Sequence, residues 1–410
     1  MQPHHDVVVV GGRAAGAAVA LLLARLGHDV VVLERAHLPS DTISTHQIAR
    51  TGVVALHRWG VLADVLASGA PANRQVALHR EGESTVRTVK AKAGVDHLIA
   101  PRRYVLDTLL ADTARRAGAR VRTGITVTGV RLDANGRATG VHGFDQRGEA
   151  ITISARFVVG ADGLGSRVAR SVGADLVEDR GATGATTYAY FTGPPWPAIE
   201  FFTGHRSFAG VFPTHHGEAC IWICTPSADA RAARRRLGSA EETFEAQLRA
   251  AAPALARRLR DARRTSPVRG MLRAPNQLRR GYGPGWALVG DAGYHRDPVT
   301  GHGISDAFRD AEFLAGALDA ALRAEADDLT ALAGYECRRD LALSEIFDIT
   351  CALAAYPPVP EFVELARRLG QAIDAEAADL AARPLPGPLS RTPGCAHLSR
   401  TPQHHQGVKR

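Results

Sequence analysis

No stretch of this 410-residue sequence stays apolar for the roughly 18 uninterrupted residues that a membrane-crossing helix needs. No signal peptide is visible ahead of the first apolar run, which begins near Asp6, so a cytoplasmic location without a membrane span is expected. Lysine is almost missing: Lys90, Lys92 and Lys409 are the only three, and the rest of the basic set is arginine. The net charge of +8 and pI near 9.6 could suit nucleic acid. The arginines, however, are spread with alanine along the whole chain rather than gathered in a patch, so nucleic-acid binding is not expected. The densest basic run, Arg231 to Arg236, reads as the start of an exposed helix. Cysteine is scarce and scattered, at positions 220, 224, 337, 351 and 395. The odd count argues against a disulfide framework, and no second pair completes a metal site around Cys220 and Cys224. Free thiols and no metal are expected. Aromatic residues are only 6% and mark no distinctive pocket. There is no internal repeat and no second dinucleotide-binding fingerprint.

What is present begins with an ordered alternation. The apolar run Val7 to Val10 meets a glycine-rich turn. A helical stretch from Ala14 to Leu26 follows, then a second apolar run, Val30 to Leu33, ending at Glu34. This pattern predicts a βαβ unit with a buried parallel sheet. Further on, the periodicities predict helices over 51–67, 104–117, 240–261, 304–323, 328–355 and 359–382. Strand-rich segments are predicted over 73–100, 120–159 and 184–226, with a hairpin turn at Asn135-Gly136. The segment from Arg383 onward is rich in Pro, Ser, Gly and His and is expected to be disordered.

Three motifs carry chemistry. The first is Gly11-Gly12-Arg13-Ala14-Ala15-Gly16, between strand and helix. Gly11 suits the tight turn, and Gly16 suits close packing of helix on strand. Arg13 stands where the usual fingerprint has its middle glycine; at a helix N-terminus it could pair with phosphate. Glu34 falls 18 residues beyond Gly16, where a carboxylate can accept from ribose hydroxyls, with Arg35 beside it. The second motif is the strand into Gly160-Ala161-Asp162-Gly163, followed by Ser166 and Arg167. The third is Gly290-Asp291-Ala292-Gly293, then Pro298, Gly301, His302, Gly303 and Ile304 at the start of a helix. Arg103, with Leu106, Asp107 and Leu110, forms a fourth match at another helix start, where Arg102 is an alternative.

Together these resemble the FAD-dependent monooxygenases related to p-hydroxybenzoate hydroxylase, over about three quarters of the chain. The resemblance implies that Asp162 and Gly163 serve FAD and NAD(P)H, and that Asp291 holds the ribityl chain. It implies that Pro298 lies near the reactive edge of the isoalloxazine. It also implies that the amides of His302, Gly303 and Ile304 face the flavin, where a helix N-terminus stabilises reduced-flavin charge. The family more often has Gln at the position of His302.

The implied activity is hydroxylation of an electron-rich, aromatic small molecule through a flavin C4a-hydroperoxide, using O2, with NAD(P)H as transient reductant. Two alternatives belong to the same superfamily. Flavin-dependent halogenases carry W-x-W-x-I-P, but the matching strand here is Phe208-Ala209-Gly210-Val211-Phe212-Pro213, without tryptophan. Lys90 and Lys92, the only candidates for the halogenase lysine, read as exposed strand residues. Geranylgeranyl-reductase-type enzymes carry Y-x-W-x-F-P, which Phe212-Pro213 faintly echoes. A flavin-binding protein without turnover is a further class.

Candidate catalytic residues are His46, Tyr190 and Pro298. His46 lies 12 residues beyond Glu34, in the loop where relatives place an arginine facing flavin and nicotinamide. Arg50 could contact cofactor or a substrate carboxylate, His295 reads as structural, and solvent exposure is expected for His215 and His216.

The fold class expected is α/β. A discontinuous Rossmann-type FAD-binding domain covers 1–72, 93–183 and 266–323. An inserted β-rich substrate domain covers 73–92 and 184–265, and C-terminal helices cover 324–382. Oligomeric state is open between monomer and homodimer.

Overall fold

Val7 to Val10 are buried in the strand His4–Val10, which lies between two parallel neighbours, Val30–Glu34 and Ala150–Gly160. A strand flanked in parallel is covered on both faces, hence unbroken valine rather than alternation. The computed structural model describes residues 4–80 and 82–386. Its first sheet runs Tyr282–Gly283, Trp286–Leu288, Ala150–Gly160, His4–Val10, Val30–Glu34, Arg120–Thr123. A hairpin of Thr126–Leu132 and Ala138–Phe144 is attached to Ala150–Gly160. Helix Ala14–Arg25 is apolar nearly all round because it packs between this sheet and the helices Arg103–Arg116 and Gly303–Leu322.

The second sheet is mostly antiparallel and runs Arg263–Arg264, Gly184–Thr192, Ala219–Pro226, Ser207–Pro213, Ile199–Gly204, Gln75–Arg80, Glu83–Thr88. Its side chains alternate with the strand period of two. One face (Ala189, Phe191, Val211, Ile221) is buried under Phe244, Leu248 and Leu255 of a helical cover. The other face (Tyr188, Tyr190, Phe212, Cys220, Trp222, Cys224) packs against Val299 and the last helices, Asp328–Ala354 and Val359–Ala382. Among the described residues, no helix is long and apolar enough to cross a membrane.

Several elements differ from the sequence expectation. The strand Arg269–Ala274 pairs with Gly184–Thr192, so the second sheet keeps the chain until Ala274 rather than 265. The helix expected over 51–67 is two, Arg50–Arg58 and Leu62–Ala67, separated at Gly60, whose φ is +69°. The helix expected over 240–261 breaks at Pro253, which has no amide to continue the ladder. The basic run 231–236 lies at the end, not the start, of helix Ser227–Leu237. Of the tail expected to be disordered, residues 387–410 lie outside the described residues.

Candidate flavin and substrate site

The separated motifs meet at the C-terminal ends of neighbouring parallel strands of the first sheet. Gly11 adopts φ +100°, and a Cβ there would stand 2.4 Å from the Ala161 carbonyl oxygen, so the first turn rests on the second motif. A Cβ on Gly290 would stand 2.9 Å from Ala15 Cβ, bringing the third motif against the start of helix Ala14–Arg25. A Cβ on Gly16 would reach 1.8 Å from the Gly11 carbonyl oxygen. Only glycine allows this close approach, which aims the helix N-terminus at the turn. Glu34 is buried, and its carboxylate accepts from the amides of Gly12 (2.8 Å) and Ala36 (2.9 Å). Arg35 beside it is exposed.

Arg13 does not stand free to face phosphates. Its guanidinium donates to Ser40, through both the carbonyl and Oγ, and to Asp107 Oδ2 at 3.0 Å. Asp107 is fully buried and also receives Arg103, so one carboxylate holds an arginine from each of two helix starts. Asp162 is likewise committed. It accepts from Ser166 Oγ (2.6 Å) and the amides of Arg167 (2.6 Å) and Val168 (3.2 Å), capping helix Arg167–Ser171. Gly163, next to it, takes φ +78°. Asp291, by contrast, is exposed, and its carboxylate has no hydrogen-bond or ion-pair partner among the described residues.

The loop after Asp291 is tightly braced. Asp297 Oδ1 accepts from the Val299 amide, which fixes the turn Pro298–Thr300. Burial pushes the Asp297 carboxyl up to about 6. Gly301 takes φ +61° against Gln47, and His302 leads into helix Gly303–Leu322, with Ile304 in its first turn. Several buried polar atoms here lack a hydrogen-bond partner among the described residues: Thr300 Oγ1, His302 Nδ1, Ser305 Oγ and both ring nitrogens of His46. Unpaired buried polar groups are unfavourable by about 1–3 kcal/mol each. A polar ring ligand along this loop would complete them. With the glycine cradle and the free Asp291, the residues fit FAD.

Facing this loop is the flavin-side face of the second sheet. His46 is buried, with φ +67°, and stacks on Tyr190 at 5.5 Å between centroids. Burial, with Arg103 and Arg102 nearby, holds its ring well below the usual histidine range. Tyr190 is covered on its other side by Arg102, whose guanidinium carbon is 3.6 Å from the ring centroid. Arg102 is neutralised by Asp41 and Glu218, both at 2.8 Å. The Tyr190 hydroxyl has no partner beyond the Cys220 thiol beside it. Burial raises its pKa strongly, and that of Tyr188 to about 12.

His215, expected to be exposed, is buried. Its Nδ1 accepts from the Arg102 amide, and its Nε2 lies 3.0 Å from Ser68 Oγ. His216 is exposed. Arg50 is taken by Asp374 and the Val95 carbonyl, and the His295 ring bonds the Pro275 carbonyl, so both are structural. Lys90 is exposed, and Lys92 pairs with Asp374. Sequence reading missed Asp41, Ser40 and Tyr188, since nothing in a polar loop or a buried strand marks them.

The fold and this site define a flavin-dependent oxidoreductase. A family model described as FAD binding domain matches residues 4–350, and the chain belongs to that family. Kynurenine 3-monooxygenase of Salinispora arenicola is 27% identical over 93% of this chain and 85% of its own length. A digeranylgeranylglycerophospholipid reductase of Methanothrix thermoacetophila is 29% identical over 74% of this chain and 75% of its own. The crystal structure of Pseudomonas aeruginosa PqsL in complex with 2-aminobenzoylacetate superposes with TM-score 0.74 at 25% identity, covering 91% of this chain and all of that one. The cofactor is FAD and the enzyme is an FAD-dependent oxidoreductase, as the motifs imply.

Proposed function

We propose that the chain hydroxylates a compact, electron-rich aromatic molecule, with His46 accepting the proton or hydrogen bond of its phenol or aniline group. The state of His46 carries this reading. It is buried, held in a backbone region that side chains rarely adopt, free at both ring nitrogens, and kept neutral at ordinary pH. Strained, unpartnered residues of this kind concentrate at functional sites. When bound, FAD would take electrons from NAD(P)H and pass them to O2, which would be the source of the transferred oxygen.

The chain's own part is positioning and exclusion of water. Tyr190 stacks on His46, Arg102 closes behind Tyr190, and Tyr188 anchors the loop by accepting from the Ser44 amide. Asp41 Oδ1 stands 3.7 Å from His46 Nε2, placed to stabilise the imidazolium once a proton arrives. The same reading puts the protein in the cytoplasm, where NAD(P)H is at hand.

A second reading, alkene reduction, draws support from the reductase relative. The far end of the sheet face argues against a long prenyl chain. Phe201, Phe208, Phe212, Trp222 and Phe362 fill it, with ring centroids 5.1–6.1 Å apart. NAD(P)H oxidation with a panel of phenols, anilines and indoles, read by product mass, separates the two: a gain of one oxygen supports hydroxylation, and a gain of two hydrogens supports reduction. With a responding substrate, His46→Ala should lower kcat by about 100-fold or more. The wild-type acid limb should fall well below pH 6.5, because protonation disables an acceptor whose pKa is depressed. Unchanged kcat in the variant removes His46 from this role.

A further inference from the structure

One carboxylate on the last helix gathers three elements beneath the flavin loop. Glu376 Oε2 accepts from His302 Nε2 and from Thr51 Oγ1, both at 2.8 Å, and Oε1 accepts from Arg309 Nη1 at 2.5 Å. Thr51 belongs to helix Arg50–Arg58, Arg309 to helix Gly303–Leu322, and His302 to the turn that opens that helix. His302 is fully buried, with Asp306 Oδ1 at 3.8 Å. Burial works against ionisation of Glu376, yet Arg309 and His302 hold its carboxyl far below the usual range. His302, Asp306 and Glu376 have ligand atoms within 4.8 Å of one another, as a metal site would. Arg309, however, already bridges Glu376 and Asp306, and Arg296 takes the other side of Asp306, so the compensating positive charge is in place.

We propose that His302 is a positioning residue for the flavin, and that Glu376 acts through it. Glu376 accepts from Nε2, so that nitrogen carries a proton, and in the neutral ring Nδ1 is the lone-pair site. Among the described residues, Nδ1 has no partner. The pyrimidine edge of a flavin offers one N–H donor, which matches this acceptor. Glu376 thereby fixes the tautomer and the ring, and it sets a negative charge behind the helix start whose dipole favours reduced flavin. The last helix thus takes part in the electrochemistry of a cofactor bound by the first three hundred residues. The inference rests on FAD as cofactor and is independent of the reaction that follows.

The test compares wild type, His302→Leu, His302→Gln and Glu376→Gln by FAD dissociation constant, flavin midpoint potential and melting temperature of the FAD-free chain. His302→Leu should weaken FAD binding tenfold or more. His302→Gln should bind near wild type, because its amide can donate to Glu376 and still present an acceptor. Glu376→Gln should raise the midpoint potential by ~30 mV, a tenfold change in the reduced-to-oxidised ratio for a two-electron couple. Should the leucine variant fail to fold, the two glutamine variants decide by the same readouts. The proposal is overturned if His302→Leu holds FAD as tightly as wild type, or if the Glu376→Gln potential is unchanged, even where both variants melt lower. A wild-type chain that takes up no FAD would instead remove the cofactor assignment.

Discussion

Two aspartates in similar turns do different work. Asp162 spends both oxygens on Ser166 and the amides of a short helix, whereas Asp291 is exposed and unpartnered. Asp291→Asn should therefore weaken FAD binding about tenfold, equivalent to ~1.4 kcal/mol, and leave the melting temperature of the FAD-free chain unchanged. Asp162→Ala should do the reverse first, lowering stability by about 1 kcal/mol or more through the lost hydrogen bonds to Ser166 and the first amides of the helix. Equal behaviour of the two in flavin titration and thermal melts would contradict this division. His215 gives a pH signature. Burial brings its pKa down from 6.5 to about 4, so the unfolded chain binds the extra proton first on acidification. The stability contributed by neutral, buried His215 is present above pH 6.5 and is lost as pH falls towards 4. The melting-temperature gap between wild type and His215→Gln should shrink from pH 7.5 to pH 5. Comparing the two chains cancels the opposing titrations of Asp297 and Asp310, whose carboxyls burial raises to about 6. A gap that stays constant would mean that the ring is not held neutral.

Among the elements, helix Ala14–Arg25 is placed by one missing side chain. A Cβ on Gly16 would collide with the Gly11 carbonyl, whereas one on Gly303 would meet nothing within 4 Å. Gly16→Ala should cost about 3 kcal/mol in denaturant melts, at the upper end of the overpacking range. Gly303→Ala should stay within about 0.5 kcal/mol. Similar losses at both positions would contradict the packing argument. The helix and its glycines were legible because spacing in sequence maps directly onto one turn. The splits at Gly60 and Pro253 were carried by single residues inside otherwise helical periodicity. The role of the last helix was not legible at all, because Asp374 and Glu376 belong to no motif in the sequence. Only the fold brings Arg50, Lys92, Thr51, His302 and Arg309 to them.

At the scale of the whole molecule, the order of three glycine-rich turns, two of them bearing an aspartate, was enough to place a dinucleotide fold, because each turn ends a parallel strand of one sheet. The second sheet was harder to bound, since Arg269–Ala274 is an edge strand with a weak alternation that merges with the arginine-rich segment before it. Arg13 shows the limit at the site itself. Its position at a helix start suggested phosphate, but Asp107, ninety-four residues later, takes the charge. In the proposed function, one atom of molecular oxygen passes to an aromatic ring held against His46 and Tyr190. The most direct test is turnover of a responding phenol, aniline or indole with NAD(P)H under 18O2. A product carrying one heavy oxygen is expected; a product that has gained two hydrogens, or an oxygen derived only from water, would rule this function out.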